Sequence, residues 1–151
     1  MARQGRGIDT LQRQQLFSIY HAALQSVHGR VRVGKALRCN ATARHGMNGD
    51  VYVVAIGKAA SAMFLGAVDV LQQQIASALV ITKHGYADAE VTAKGARLIE
   101  AGHPTPDQPS LDAGQALLNF IHTSPADAEL LFLISGGASS LVAGLKKFVP
   151  F

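Results

Sequence analysis

Two short stretches of this 151-residue chain combine residue types suited to negative charge. Gly57-Lys58 follows the apolar run Val51–Ile56, and Ser135-Gly136-Gly137-Ala138-Ser139-Ser140 follows the apolar run Leu130–Ile134. Each reads as a buried strand, a glycine-containing turn and then the start of a helix. A helix start offers unpaired backbone N–H groups and the positive end of the macrodipole. Each such terminus contributes about 0.3–1 kcal/mol toward holding an anion, and up to about 2 when partly buried. Glycine brings backbone N–H groups close to an oxyanion because no Cβ blocks the approach. Ser135, Ser139 and Ser140 add hydroxyls. A strand-to-helix turn that needs glycine only for its backbone shape is the competing reading of the second stretch. Lys58 is the more pointed residue, since a cation at a helix opening opposes the dipole. A charge in a locally unfavourable place points to function, whereas the bland alternative is a lysine that snorkels to solvent.

Several familiar sites are excluded by spacing. Gly57-Lys58-Ala59-Ala60-Ser61-Ala62 has one of the three glycines of the dinucleotide fingerprint. Tyr52 and Ala59 stand where a Walker loop needs glycine and a hydroxyl residue. Gly137-Ala138-Ser139-Ser140-Leu141 lacks the last glycine of a nucleophile elbow. His21, His28, His45, His84, His103 and His122 show no zinc spacing and read mostly as surface or capping residues. His103 is the exception, because its proline-rich loop is expected at the sheet edge.

The elements that must position these residues follow from periodicity. Ile8, Leu11, Leu16, Ile19, Tyr20, Ala23, Leu24 and Val27 recur at helical steps, with Asp9 as N-cap, Gln12 as its capping-box partner and Gly29 as the stop. Residues 30–50 read as basic and irregular. Val51–Ile56, Ala78–Thr82, Arg97–Glu100 and Leu130–Ile134 read as strands, and Lys58–Gln74 and Ser110–His122 as helices. The second helix is expected to bury Leu111, Leu117, Leu118 and Ile121. His103-Pro104-Thr105-Pro106-Asp107-Gln108-Pro109 cannot be helix interior, and Asp107 can cap the helix that follows with Pro109 in its first turn. Alternating buried strands and helices predict an α/β fold, a Rossmann-like parallel sheet of about four strands with helices on both faces. The expected strand order, third-second-first-fourth, sets the ends of the first and fourth strands side by side, where such sheets bind ligands.

Composition sets the frame. With 48% hydrophobic and 16% charged residues the chain is globular. No apolar run approaches the roughly 18 residues of a membrane span, and the N-terminus has no signal-peptide pattern, so a cytoplasmic protein without membrane partners is expected. The single cysteine, Cys39, excludes an internal disulfide framework. The net charge of +4 hides an uneven distribution: residues 1–49 carry +7 and residues 50–151 carry −3. A basic half of this kind can face nucleic acid or an anionic substrate. Residues 28–49 contain no Phe, Tyr or Trp for stacking, which disfavours nucleic acid.

Four blocks, Val51–Met63, Val80–Tyr86, Glu100–Asp107 and Leu133–Leu141, together resemble the N-terminal domain of the class II glycerate kinases. This glycerate 2-kinase family ends in a MOFRL domain and its members are sometimes labelled hydroxypyruvate reductases. The resemblance covers about residues 8–142. It implies ATP- and Mg²⁺-dependent phosphorylation of D-glycerate to 2-phosphoglycerate. By position it implies a catalytic role for Lys58 and a phosphate or cofactor loop at Ser135, Gly136, Gly137 and Ser139. It also implies substrate contacts from Gly57, His103, Pro104 and Asp107; metal ligands are not indicated. Two local departures stand out: Ala138 replaces the family's third loop glycine, and His84-Gly85-Tyr86 reverses a tyrosine-glycine-histidine order. The division expected is an N-terminal helix and basic segment over residues 1–50 that packs on an α/β core over residues 51–151. The MOFRL domain would be absent, activity would need the missing second domain, and a homodimer is one way to cover the apolar surface left. The alternatives are a phosphosugar-binding or isomerase-like module without ATP chemistry and, less favoured for want of a dinucleotide fingerprint, a hydride-transferring reductase.

Overall fold

The computed structural model describes residues 10–39 and 49–144. Four parallel strands, β1 (Val51–Ile56), β2 (Ile75–Lys83), β3 (Arg97–Ala101) and β4 (Glu129–Ile134), form one sheet in the order β3-β2-β1-β4. This is the fold and strand order expected from the sequence. In register, Ile56 at the end of β1 sits beside Ile81 of β2 and Ile134 of β4. The strand ends therefore deliver Gly57 and Ser135 to the same edge of the sheet.

Burial explains why these segments pair. Val51, Val53, Val54 and Ala55 are fully buried, as a central parallel strand covered on both faces requires. Helix α3 (Ala60–Leu71) covers one face through Ala60, Met63, Phe64, Ala67 and Leu71, which pack with Val53, Ala55 and Val80. Helix α5 (Gln108–Thr123) covers the other, over Val54, Ile56, Leu79 and Ile81. Its buried residues are small, namely Ser110, Ala113, Gly114 and Ala116, with Ala113 in the core and Gly114 against the Ala143 backbone. The expected leucine stripe is only partly used, and Leu118 is 52% exposed. Strand β4 is an edge strand of mixed character. Leu131 and Leu133 pack on the α3 side, whereas Leu130, Phe132 and Ile134 are exposed.

The N-terminal region corrects the sequence reading. Gly29 does not simply end a helix. Helix α1 (Thr10–Val27) breaks at His28, and Gly29 opens helix α2 (Gly29–Cys39), so residues 30–39 are helical where irregular backbone was expected. Tertiary packing overrides the weak helix propensity of this glycine- and β-branched-rich segment. Gly66 of α3 lies against the Arg30 backbone, and a β-carbon at Gly29 would stand 2.9 Å from Met63 Cγ. The two helices thus approach as closely as glycine allows. Arg30 fastens the crossing by pairing with both Asp69 oxygens at 2.7 Å and with Glu90 of α4 (Ala89–Ala93) at 3.2 Å. These bonds hold the guanidinium firmly protonated and draw the Asp69 carboxyl below its usual range. Part of the basic half is therefore spent on structure. Helix α1 keeps Leu11, Leu16, Phe17, Ile19, Tyr20, Leu24 and Val27 exposed, and its expected cap Asp9 lies outside the described residues.

Candidate functional site

Two turns at the β1 and β4 ends are sewn to one another. Ser135 N–H donates to the Ile56 carbonyl at 2.9 Å, and Lys58 N–H donates to the Gly136 carbonyl at 3.0 Å. The Ser135 hydroxyl accepts from Ala59 N–H at 3.1 Å and donates to the Ile56 carbonyl at 3.4 Å. Gly57 has φ +124°, and a β-carbon there would fall on the Ser135 hydroxyl and stand 2.6 Å from its carbonyl oxygen. Only glycine permits this approach. Ser135 is thus a fastener whose hydroxyl is committed between the two turns.

The second turn brings backbone and side chains together. A β-carbon on Gly136 would lie 3.8 Å from Lys58 Cε. One on Gly137, at φ +94°, would lie 3.5 Å from Lys58 Cγ, 2.7 Å from His103 Cδ2 and 3.0 Å from His103 Nε2. The lysine stem and the His103 ring therefore converge on the Gly136–Gly137 backbone. Among the described residues neither glycine N–H is engaged and the Lys58 ammonium has no carboxylate partner. Lys58 is exposed, so its charge is free to meet a ligand from solvent. The N-cap residue of α3, Ala59, supplies no side-chain cap of its own, and its N–H is taken by the Ser135 hydroxyl. The lysine stem and the free Gly136 and Gly137 amides lie together across adjacent strand ends, an arrangement suited to an anion.

His103 reaches this point from a different strand. Gly102 to Asp107 forms a closed turn after β3 that contains a cis His103–Pro104 bond. Asp107 Oδ1 accepts from Gly102 N–H at 2.9 Å, Ser110 N–H at 3.0 Å and Ser110 Oγ at 2.9 Å. The Ser110 hydroxyl also lies 3.2 Å from Asp107 N–H, completing a capping box with Pro109 in the first turn of α5. The cap expected from the sequence is therefore present. Asp107 Oδ2 lies 2.8 Å from His84 Nε2, a partner that periodicity and spacing did not single out. The signal available was only that His84 directly follows β2 and that β2 neighbours β3. The His84 bond, helped by Ser110 and Gly102, outweighs desolvation and holds the Asp107 carboxyl well below the usual carboxylate range.

Of the remaining candidates, Pro104 is exposed, and Ser139 is exposed within α6 (Ala138–Leu141). Ala138 is not strained by the loss of glycine, since Gln72 is the only non-glycine with positive φ among the described residues. Asp107, with both carboxylate oxygens occupied by the turn and His84, is part of the scaffold around the site. No three His, Cys, Asp or Glu side chains among the described residues cluster as a metal-binding set. No helix among them is long and apolar enough to cross a membrane.

The profile of a family described as "Domain of unknown function (DUF4147)" matches residues 15–149. The chain belongs to the DUF4147 family. A D-glycerate 2-kinase of Thermotoga maritima is 36% identical over 91 residues, covering 60% of this chain and 21% of the relative. A protein of Agrobacterium vitis that carries a hydroxypyruvate reductase name is 33% identical over 135 residues, covering 89% of this chain and 28% of its own length. A solved glycerate kinase of Thermotoga maritima superposes with a TM-score of 0.71 at 29% identity, covering 85% of this chain and 29% of that one. These relatives bear out the likeness to the N-terminal domain of glycerate 2-kinases carried by the four sequence blocks. This DUF4147 chain spans less than a third of the length of the relatives it matches.

Proposed function

We propose that this DUF4147 domain contributes the anion-gripping half of a glycerate 2-kinase site, in which a phosphoryl group passes from ATP to a hydroxyl of D-glycerate. The supporting observation is the convergence of Lys58, the Gly136–Gly137 amides and the His103 ring at the ends of β1 and β4. Phosphoryl transfer asks a protein mainly for positioning and for stabilisation of charge on oxygens. In this reading Lys58 neutralises charge on the transferring group or on the glycerate carboxylate. The Gly136 and Gly137 N–H groups donate to the same anion, and Ser135 holds their turn against Gly57. His103 closes the rim, and Ser139 lies on its outer side. Gly57, Pro104 and Asp107 shape the walls. The nucleotide supplies the phosphoryl group, and its polyphosphate matches a cation beside open amides. Mg²⁺ commonly enters such sites on substrate phosphates with one or two carboxylates, and among the described residues no three His, Cys, Asp or Glu side chains cluster to hold it on their own.

The test is formation of 2-phosphoglycerate from ATP and D-glycerate in a coupled assay. It is run with this chain alone and with the chain joined to the remaining portion of a relative. Glycerate-dependent turnover in the joined protein supports the reading. Binding of a sugar phosphate with no response to ATP or glycerate in either form would favour the phosphosugar module instead.

A further inference from the structure

The His103 ring sits at the anion site in a turn whose next three residues, Pro104, Thr105 and Pro106, are exposed. What fixes the turn is Asp107, whose two oxygens face in different directions. Oδ1 closes the base of the turn on Gly102 and starts α5, while Oδ2 faces His84 across the gap between the ends of β2 and β3. An ionised carboxylate only accepts hydrogen bonds, so His84 Nε2 is the donor in this contact. The His84 backbone is itself pinned, because its N–H donates to the Ala101 carbonyl at 3.2 Å. The loop beyond it is anchored as well. Tyr86 and Ala87 N–H both donate to Glu100 Oε1, at 3.0 and 3.1 Å, and Lys83 Nζ lies 3.9 Å from the centre of the Tyr86 ring. The rigid end of β2 thus offers Asp107 an oriented donor.

We propose that His84 is a positioning residue: by donating to Asp107 it locks the Gly102–Asp107 turn and so holds the His103 ring against Gly137, beside Lys58. The inference rests on reading that cluster as the ligand site, but its first consequence is conformational and needs no ligand. His84 has a side-chain exposure of 54%, so replacing it leaves the core untouched.

The experiment uses the uniformly ¹⁵N-labelled protein, the His103 ring signals being assigned by their loss in His103→Gln. In His84→Ala the His103 ring resonances shift and broaden, while backbone amides of β1 and α2 stay in place. In His84→Gln, whose Nε2 can replace the imidazole donor, the ring signals return toward their original positions. Unchanged His103 ring signals in His84→Ala overturn the proposal. Titration with D-glycerate separates the two claims. A tenfold weaker affinity in His84→Ala, restored in His84→Gln, supports both; the figure is what loss of one charge-assisted hydrogen bond gives, roughly. Ring shifts in a protein that binds no glycerate, even when joined to the remaining portion of a relative, support His84 and overturn the glycerate site. Glycerate binding of equal strength in all three proteins overturns His84 and leaves the site standing.

Discussion

Two helix starts lie at the same edge of the sheet, and they are finished in opposite ways. Helix α5 is closed by its own chain: Asp107 caps it, Ser110 returns the bond and Pro109 fills the first turn. Helix α3 has Ala59 at its N-cap with no side-chain cap, a lysine beside it and a glycine turn across from it. The α3 start is instead tied across the sheet edge, Lys58 N–H going to Gly136, Ala59 N–H to Ser135 and Ala60 N–H to Gly57, and it stands beside a cation and the free amides of Gly136 and Gly137. Two sequence segments of similar design, strand then polar turn then helix, are thus built differently: Asp107 is used up in the scaffold, and Lys58 is left exposed without a carboxylate partner among the described residues.

The contrast can be broken at its tightest point. Gly57→Val would drive a side chain into Ser135 at a backbone angle that β-branched residues do not adopt. Urea denaturation should show a loss of about 2–4 kcal/mol, the sum of overpacking and a left-handed penalty, and anion binding should vanish. A stable protein with normal binding would mean that the two turns are not held as closely as described.

A second change makes α3 resemble α5. Ala59→Asp places a carboxylate at the open helix start, where it competes with any bound anion. Phosphate or ATP affinity should fall about tenfold or more, while stability changes by about 1 kcal/mol or less. If affinity is retained, the α3 start is not where the anion sits.

The third and mildest test concerns the closed start. Because the folded-state pKa of Asp107 is depressed, its contribution is fully present above the unfolded carboxylate value of about 4 and is lost as pH falls below it. Thermal melts of the wild type and Asp107→Asn should therefore differ at neutral pH and converge as the pH drops through 3. A gap that stays constant with pH would mean that the charge on Asp107 plays no part in the cap.

Much of this arrangement was legible in the residues. The β-branched run Val51–Ile56 and the apolar run ending at Ile134 announced two strands, and the parallel order that joins their ends follows from crossover geometry. Proline and aspartate placement announced the α5 cap. What stayed hidden was tertiary in origin. Helix α2 depends on glycine contacts with α3 that exist only once both helices are packed. The partial exposure of α5 leucines goes with small residues at its buried positions, Ser110, Ala113, Gly114 and Ala116, which the leucine spacing does not reveal. The His84–Asp107 pair links positions that come together only because β2 lies beside β3. Ser135 looked like a ligand hydroxyl until its partners, Ala59 and Ile56, were in place.

The most direct measurement is a calorimetric titration of ATP into the wild type and into Lys58→Ala. Lys58 is exposed and has no carboxylate partner among the described residues. The variant should therefore melt at the wild-type temperature while its affinity drops by tenfold or more. Equal affinities in two equally stable proteins would contradict a role for the lysine in gripping the anion.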